Sequence, residues 1–330
     1  MLFKEQVIDR HQALKAARDY SDRRISDIRQ VIKNASHSDN LGIHSLAVAG
    51  SLARREASEV SDLDLIITTI SSKPSPDTDI LVWRDELCDK LKIEKPNPVG
   101  VFATPICQTL IESISGGADE HYSSVAKRVL FLLESEWLFN ETNYNALLNK
   151  IVDAYAIDVT ADPRKNFVFL LNDVVRFFRA LCVNYQHTKS ETSDGKWPLR
   201  NVKLRHSRVL MYFSMIAAIG SLSRERSPQK IDALKILVKI PPLERLFVAY
   251  QLADDGAFYK VAGFYDTFLA LLSNSEVREE LKGLDYDDRY KSRYFAQLKA
   301  NSDALSSELL RFYEARRQVW DDRFFEYMIL

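Results

Sequence analysis

The sequence predicts an α+β fold, with a small mixed sheet flanked by helices and followed by a mostly α-helical domain. Three observations predict it. Gly and Pro number only ten each in 330 residues, which favours long helices over an all-β or disordered chain. Short apolar, β-branched runs that read as strands are confined to residues 45–103. Beyond residue 120, apolar positions recur at helical spacing in segment after segment, with few strand signals. A hydrophobic share of 46% is enough for a substantial core, and the length suits two domains.

The elements follow in order. Val7, Ile8, Leu14, Ala17, Ile25, Ile28, Val31 and Ile32 are spaced as one or two amphipathic helices over residues 4–34, an N-terminal region (1–35) packing on the core. After a break at HSDNLG, residues 45–49 read as a short buried strand ending at Gly50. Residues 51–57 suffice for about two helical turns. Residues 63–67 read as a second strand with Asp64 inside it, and SSKPSPDT at 71–78 as a loop. A helix over 80–91, a third strand over 99–103 after Pro96 and Pro98, and a break at 114–118 complete an α/β domain over 36–120. Helices are expected over 120–134, 141–155, 164–187, 202–222, 229–239, 242–252, 257–273 and 293–327, forming an α-helical domain over 121–330 that shapes the cleft and acceptor site. No internal repeat or low-complexity tract interrupts them.

Composition excludes several classes. The formal net charge of −1 supplies no global field for a polyanion, so any nucleic-acid contact must come from local patches. Cys88, Cys107 and Cys182 are far apart and lack CxxC or Cys/His spacing, which argues against zinc and a disulfide framework. Reduced thiols point to a cytoplasmic protein. The N-terminus is charged throughout, and no window approaches the run of about 18 apolar residues that a membrane span needs.

Residues 49–65 carry the chemistry. A strand ends in Gly50-Ser51, where the missing Cβ of glycine lets a phosphate approach the backbone. A helix N-terminus follows, whose N–H groups favour an anion, and Ser51 adds a hydroxyl donor. Asp62 and Asp64 are one residue apart, so an extended chain sends both carboxylates to one face. Like charges at short range oppose each other's ionisation, and a hard divalent cation removes that conflict while bringing phosphates with it. Each half of this pattern alone is commonplace. Their order between two apolar strands is what carries the reading.

GS-x-A-R-x-E, a spacer, then SD-x-D followed by hydrophobic residues resembles the signature of the DNA polymerase beta-like nucleotidyltransferase superfamily. Gly50, Ser51, Ala53, Arg54, Glu56, Ser61, Asp62 and Asp64 fall on that pattern. Position 55, often Gly in that superfamily, is Arg here. The resemblance implies a nucleotidyltransferase-type mixed sheet, with Mg2+ (or Mn2+) held by Asp62 and Asp64 and an NTP held by Gly50, Ser51, Arg54 and Ser61. A third carboxylate is common on a later strand of the superfamily, and residues 99–103 (VGVFA) carry none. The run is similar to that of predicted nucleotidyltransferases related to the bacterial PII-protein uridylyltransferase, in which this strand also lacks the acid. Three possibilities stay open: two carboxylates suffice, an acid such as Glu112 comes from elsewhere, or the domain binds nucleotide without turnover.

The helical region offers further candidates. In the apolar stretch 167–181, Asn172, Arg176 and Arg179, like Asp173 and Arg176, are three or four apart. They form either an internal Asp173–Arg176 pair or a polar edge facing the nucleotide. Lys196, Arg200 and Lys203 recur at helical spacing in the densest basic segment; they are either a solvated helix start or cations for the outer phosphates. Trp197 beside Pro198 reads as packing, with base stacking as the alternative. The Arg-rich aromatic segment 311–323 reads as an amphipathic helix burying Phe312, Tyr313, Val319 and Trp320, with single-stranded nucleic-acid binding as the alternative.

The expected activity is transfer of a nucleoside monophosphate from an NTP to an acceptor hydroxyl of a protein, small molecule or RNA, with release of pyrophosphate. The alternatives are an NTP-binding regulatory protein without turnover and an RNA-directed enzyme, the latter marked by steep salt dependence.

Overall fold

A computed structural model describes residues 2–34, 38–70, 76–93, 95–96, 100–114, 120–191 and 197–329. It is a predominantly helical α+β protein with one small mixed sheet. Chain order begins α1 (Leu2–Gln6), α2 (Gln12–Asn34), β1 (Ile43–Val48), α3 (Gly50–Ala53), β2 (Leu65–Thr69), α4 (Asp77–Leu91), β3 (Ile106–Cys107), α5 (Gln108–Glu112), α6 (Tyr122–Leu133), β4 (Glu136–Phe139), α7 (Glu141–Tyr155) and α8 (Ile157–Ala161). It continues with α9 (Val168–Glu191), α10 (Trp197–Lys203), a π-helical turn Leu204–Arg208, α11 (Val209–Ser221), α12 (Ser227–Leu237), α13 (Pro242–Leu252), α14 (Phe258–Ser273), α15 (Ser275–Gly283), α16 (Arg293–Ala315) and α17 (Asp322–Ile329).

The chain divides into two compact units. One comprises Arg18–Pro163 and Arg226–Pro241 and contains the sheet. Its strand order is β3-β2-β1-β4, with β1 antiparallel to both β2 and β4 and β2 parallel to β3. Strand alternation sorts the residues of β2. Leu65 and Ile67 enter a core with Ile25, Ile28 and Ile32 of α2 and Trp83, Leu87 and Cys88 of α4. Thr68 lies on the other face, where its hydroxyl meets Ser45 Oγ at 2.7 Å. The amphipathic spacing of α2 is thus explained by the strand face that it covers.

The other unit comprises Met1–Ala17, Arg164–Glu225 and Pro242–Leu330 and is helical. α11 runs against α13, and α14 against α16. Phe3 of α1 packs edge-on to Phe247 at 5.3 Å. Gly220 of α11 lies under the Trp320 ring, leaving no room for a side chain. At the π-helical turn His206 is fully buried and stacked on Phe268 at 4.3 Å. Its Nδ1 donates to the Val202 carbonyl at 2.9 Å, and Asn301 Nδ2 donates to its Nε2 at 3.1 Å.

Several expectations change. The strand expected over 99–103 is absent from its described part, and Val99 lies outside the described residues. Gly100, at φ 137, opens a turn closed by Ala103 N donating to Gly100 O at 3.2 Å, and the strand forms instead at Ile106–Cys107. Residues 51–57 form one helical turn rather than two, because Arg55 adopts φ 64 and ends α3. Asp64 precedes β2 rather than lying within it. β4 is an additional strand, too short to carry an alternation signal. The helix expected over 293–327 is two, α16 and α17. Phe312 and Trp320 are buried as expected, whereas Val319 is 53% exposed. The break expected at 114–118 and the loop at 71–78 lie mostly outside the described residues.

Candidate functional site

The site is built where β1 and β2 meet. Their antiparallel register ends at Val48 opposite Leu65. One step further, Ala49 N donates to Asp64 O at 2.9 Å, which sets Ala49 beside Asp64. Gly50 then turns at φ 66. A Cβ on Gly50 would stand 2.2 Å from Asp64 Oδ2 and 3.1 Å from its Cγ. The two halves of the motif therefore touch, and glycine is required twice over, by its dihedral and by the carboxylate above it.

Around Asp64 the alternation is clear. Leu63 and Leu65 are buried in the core, whereas Asp62 is exposed and Asp64 half-buried. Ser61 closes the turn ahead of Asp62: its N–H donates to Ser58 O at 3.0 Å, and its Oγ accepts from Ser58 N at 3.0 Å. Ser51, half-buried, follows Gly50, and its carbonyl accepts from Glu56 N at 2.8 Å.

Two arginines hold this turn from behind. Arg54 is 7% exposed. Its Nε donates to Glu56 at 2.9 Å and its Nη1 to the Glu134 carboxylate, whose side chain is fully buried. Arg55 pairs with Asp22 of α2 at 2.6 Å and with Glu136 of β4 at 3.2 Å. Glu136 also meets Arg29 of α2 at 2.7 Å, and Arg29 lies over the Trp137 ring at 3.5 Å. Ser21 Oγ of α2 accepts from Ala57 N at 3.2 Å. Ser21, Asp22, Arg29, Glu134 and Glu136 carry no motif in the sequence. Their roles depend on partners between 33 and 108 positions away, and no local pattern announces such pairing.

The remaining candidates lie on other elements. Glu112 pairs with Lys150 at 3.5 Å, and these two act electrostatically on His44 near the start of β1. Five residues of strand, about 16 Å, separate His44 from Ala49, so Glu112 does not supply the missing acid beside Asp64. β3 carries no carboxylate either. Arg200 and Lys203 lie on α10 in the other unit, and Lys196 lies outside the described residues. Trp197 packs edge-on to Tyr286 at 4.6 Å, which favours packing over base stacking. Arg176 meets the buried Asp173 at 3.0 Å, as the internal pair requires. Asn172 and Arg179 are exposed.

Two aspartates offer hard oxygen donors of the kind that Mg2+ or Mn2+ takes, together with waters and substrate phosphates. Among the described residues, no group of three or more His, Cys, Asp or Glu could hold a metal ion. No described helix is long and apolar enough to cross a membrane. Comparisons of the chain with protein-family models, with curated proteins and with solved structures find no match.

Proposed function

We propose that the protein is a Mg2+-dependent nucleotidyltransferase that moves a nucleoside monophosphate from an NTP to an acceptor hydroxyl and releases pyrophosphate. One observation carries the reading: the Gly50 turn and the Asp64 carboxylate are in contact, so a polyphosphate at the turn lies beside the acidic pair. In this account Asp62 and Asp64 are the metal ligands. Gly50 shapes the turn that receives the phosphates, and Ser51 donates its hydroxyl to them. Ser61 fixes the approach of Asp62. Arg54, enclosed by Glu56 and Glu134, is a positioning residue for the turn.

The acceptor oxygen attacks the α-phosphorus, the bond to pyrophosphate breaks, and the acceptor proton leaves to solvent. A bound divalent cation supplies charge neutralisation at the triphosphate and the departing pyrophosphate. Such transfers depend chiefly on positioning and electrostatics, so a site with two carboxylates is compatible with turnover. The acceptor class is a protein, a small molecule or an RNA end, in a cytoplasmic setting that suits three thiols without disulfides.

The absence of an acid on β3 favours a second reading, in which the same site binds NTP as a regulatory element without turnover. Incubation with each of the four α-labelled NTPs and Mg2+ or Mn2+, with pyrophosphate as readout, separates the two. Pyrophosphate release that falls about a hundredfold in Asp62→Asn and Asp64→Asn is expected. NTP binding without release selects the regulatory reading, and failure to bind any NTP overturns both.

A further inference from the structure

Lys127 of α6 is only 4% exposed. Its ammonium donates to Thr104 Oγ1 at 3.2 Å, and among the described residues no carboxylate pairs with it. A cation buried on a neutral hydroxyl is poorly compensated, because its lost hydration is restored only by an opposite charge. Burial pushes its pKa down from 10.5. The location gives the missing charge an identity. Thr104 is two residues upstream of Ile106, which pairs with Thr68 in the parallel β2–β3 register. β2 and β3 run parallel, and Asp64 immediately precedes β2 as Thr104 closely precedes β3, so both precede neighbouring strands at the same end of the sheet. Arg84 of α4 holds the same turn by donating to Ala103 O at 3.0 Å, but it already has Asp85 as partner at 2.8 Å. Lys127 is thus a buried cation in need of an anion, beside the strand next to the one that the acidic pair precedes.

We propose that Lys127 is a phosphate-binding lysine whose ammonium takes the outer phosphates of the nucleotide held at Gly50 and Asp64. This rests on the nucleotide reading of that site and adds a cation from the same compact unit, independent of the basic segment 196–203. The alternative is purely structural: Lys127 ties the turn through Thr104 and meets no ligand.

The test is equilibrium binding of inorganic tripolyphosphate to the full chain, with and without Mg2+, alongside thermal melting. Lys127→Met is expected to weaken binding roughly tenfold or more, the loss of one charge-assisted hydrogen bond. Its melting temperature should stay equal or rise, because an apolar side chain replaces an uncompensated charge. Lys127→Arg should restore most of the affinity, and Thr104→Val should leave it within about twofold if Lys127 acts on the ligand directly. Tripolyphosphate affinity unchanged in Lys127→Met overturns the proposal. So does wild-type protein that binds no tripolyphosphate under either condition, and so does an equal loss of affinity in Thr104→Val. Lys127-dependent binding combined with no effect of Asp62→Asn/Asp64→Asn and no pyrophosphate release sustains the lysine site while removing the nucleotidyltransferase reading.

Discussion

Gly50 has the least freedom of any residue in the site. Alanine there must adopt φ 66 and place its Cβ against Asp64 Oδ2. The left-handed conformation costs about 1–2 kcal/mol, and the contact is relieved only if the carboxylate swings away. Gly50→Ala is therefore expected to lower stability by about that amount while reducing Mg2+-dependent turnover far more; urea unfolding and initial rates check the two parts. Arg54 makes a different prediction. Removing it in Arg54→Met leaves the fully buried Glu134 without its guanidinium. Breaking a buried pair in this way costs about 3–5 kcal/mol, read as a lower urea midpoint with an unchanged slope. Arg55 shows why the residue pattern alone was incomplete. The sequence flagged position 55 as an arginine within the turn, and it adopts φ 64 there. What the sequence did not reveal is that arginine is retained there in ion pairs with Asp22 and Glu136.

Among the elements, α2 and β4 together hold the motif. α2 reaches the turn through Ser21 and Asp22, and β4 presents Glu136 to both Arg29 of α2 and Arg55. The helix was legible because its apolar residues recur over several turns. β4 was not, because four residues cannot display a period and its identity as a strand comes from pairing with β1. The third strand shifted for a related reason. The apolar run at 99–103 matched strand composition, but Gly100 permits a turn, and the parallel pairing to β2 is available only at Ile106 and Cys107. In the helical unit, Gly220 of α11 makes a testable contact with Trp320, which lies between α16 and α17. A Cβ at Gly220 would meet Trp320 Cε3 at 2.4 Å, and an indole buried among Phe312, Phe324 and Phe325 has little room to retreat. Gly220→Ala is expected to destabilise by about 1–3 kcal/mol, as overpacking does, with a change in tryptophan fluorescence as α17 shifts.

For the molecule as a whole, acid sensitivity follows from His206. Burial lowers its pKa from 6.5 to about 4, with the nearby Arg205 adding to the effect against the Val202 hydrogen bond. The unfolded chain binds this proton between pH 6.5 and 4 and the folded chain does not, so the contribution to stability is complete above about 6.5 and lost as the pH falls towards 4. A shift of that size corresponds to on the order of 3 kcal/mol. Stability measured by urea titration from pH 7 to 4 should fall more steeply in wild type than in His206→Gln; parallel slopes would contradict this assignment. At this scale the sequence conveyed the α+β class and the helical second half, since both rest on composition and period. The pairing of β4 with β1 and the packing of α12 on α7 were beyond it, since both are non-local.

The central claim is that Asp62 and Asp64, beside the Gly50 turn, hold one divalent cation together with a nucleotide. Electron paramagnetic resonance of Mn2+, titrated with a non-hydrolysable NTP, tests it without depending on the acceptor. The account predicts nucleotide-dependent binding of Mn2+ to the wild type that is lost in Asp64→Asn and strongly weakened in Asp62→Asn. Mn2+ binding that is indifferent to both substitutions, or absent from the wild type with nucleotide present, would contradict it.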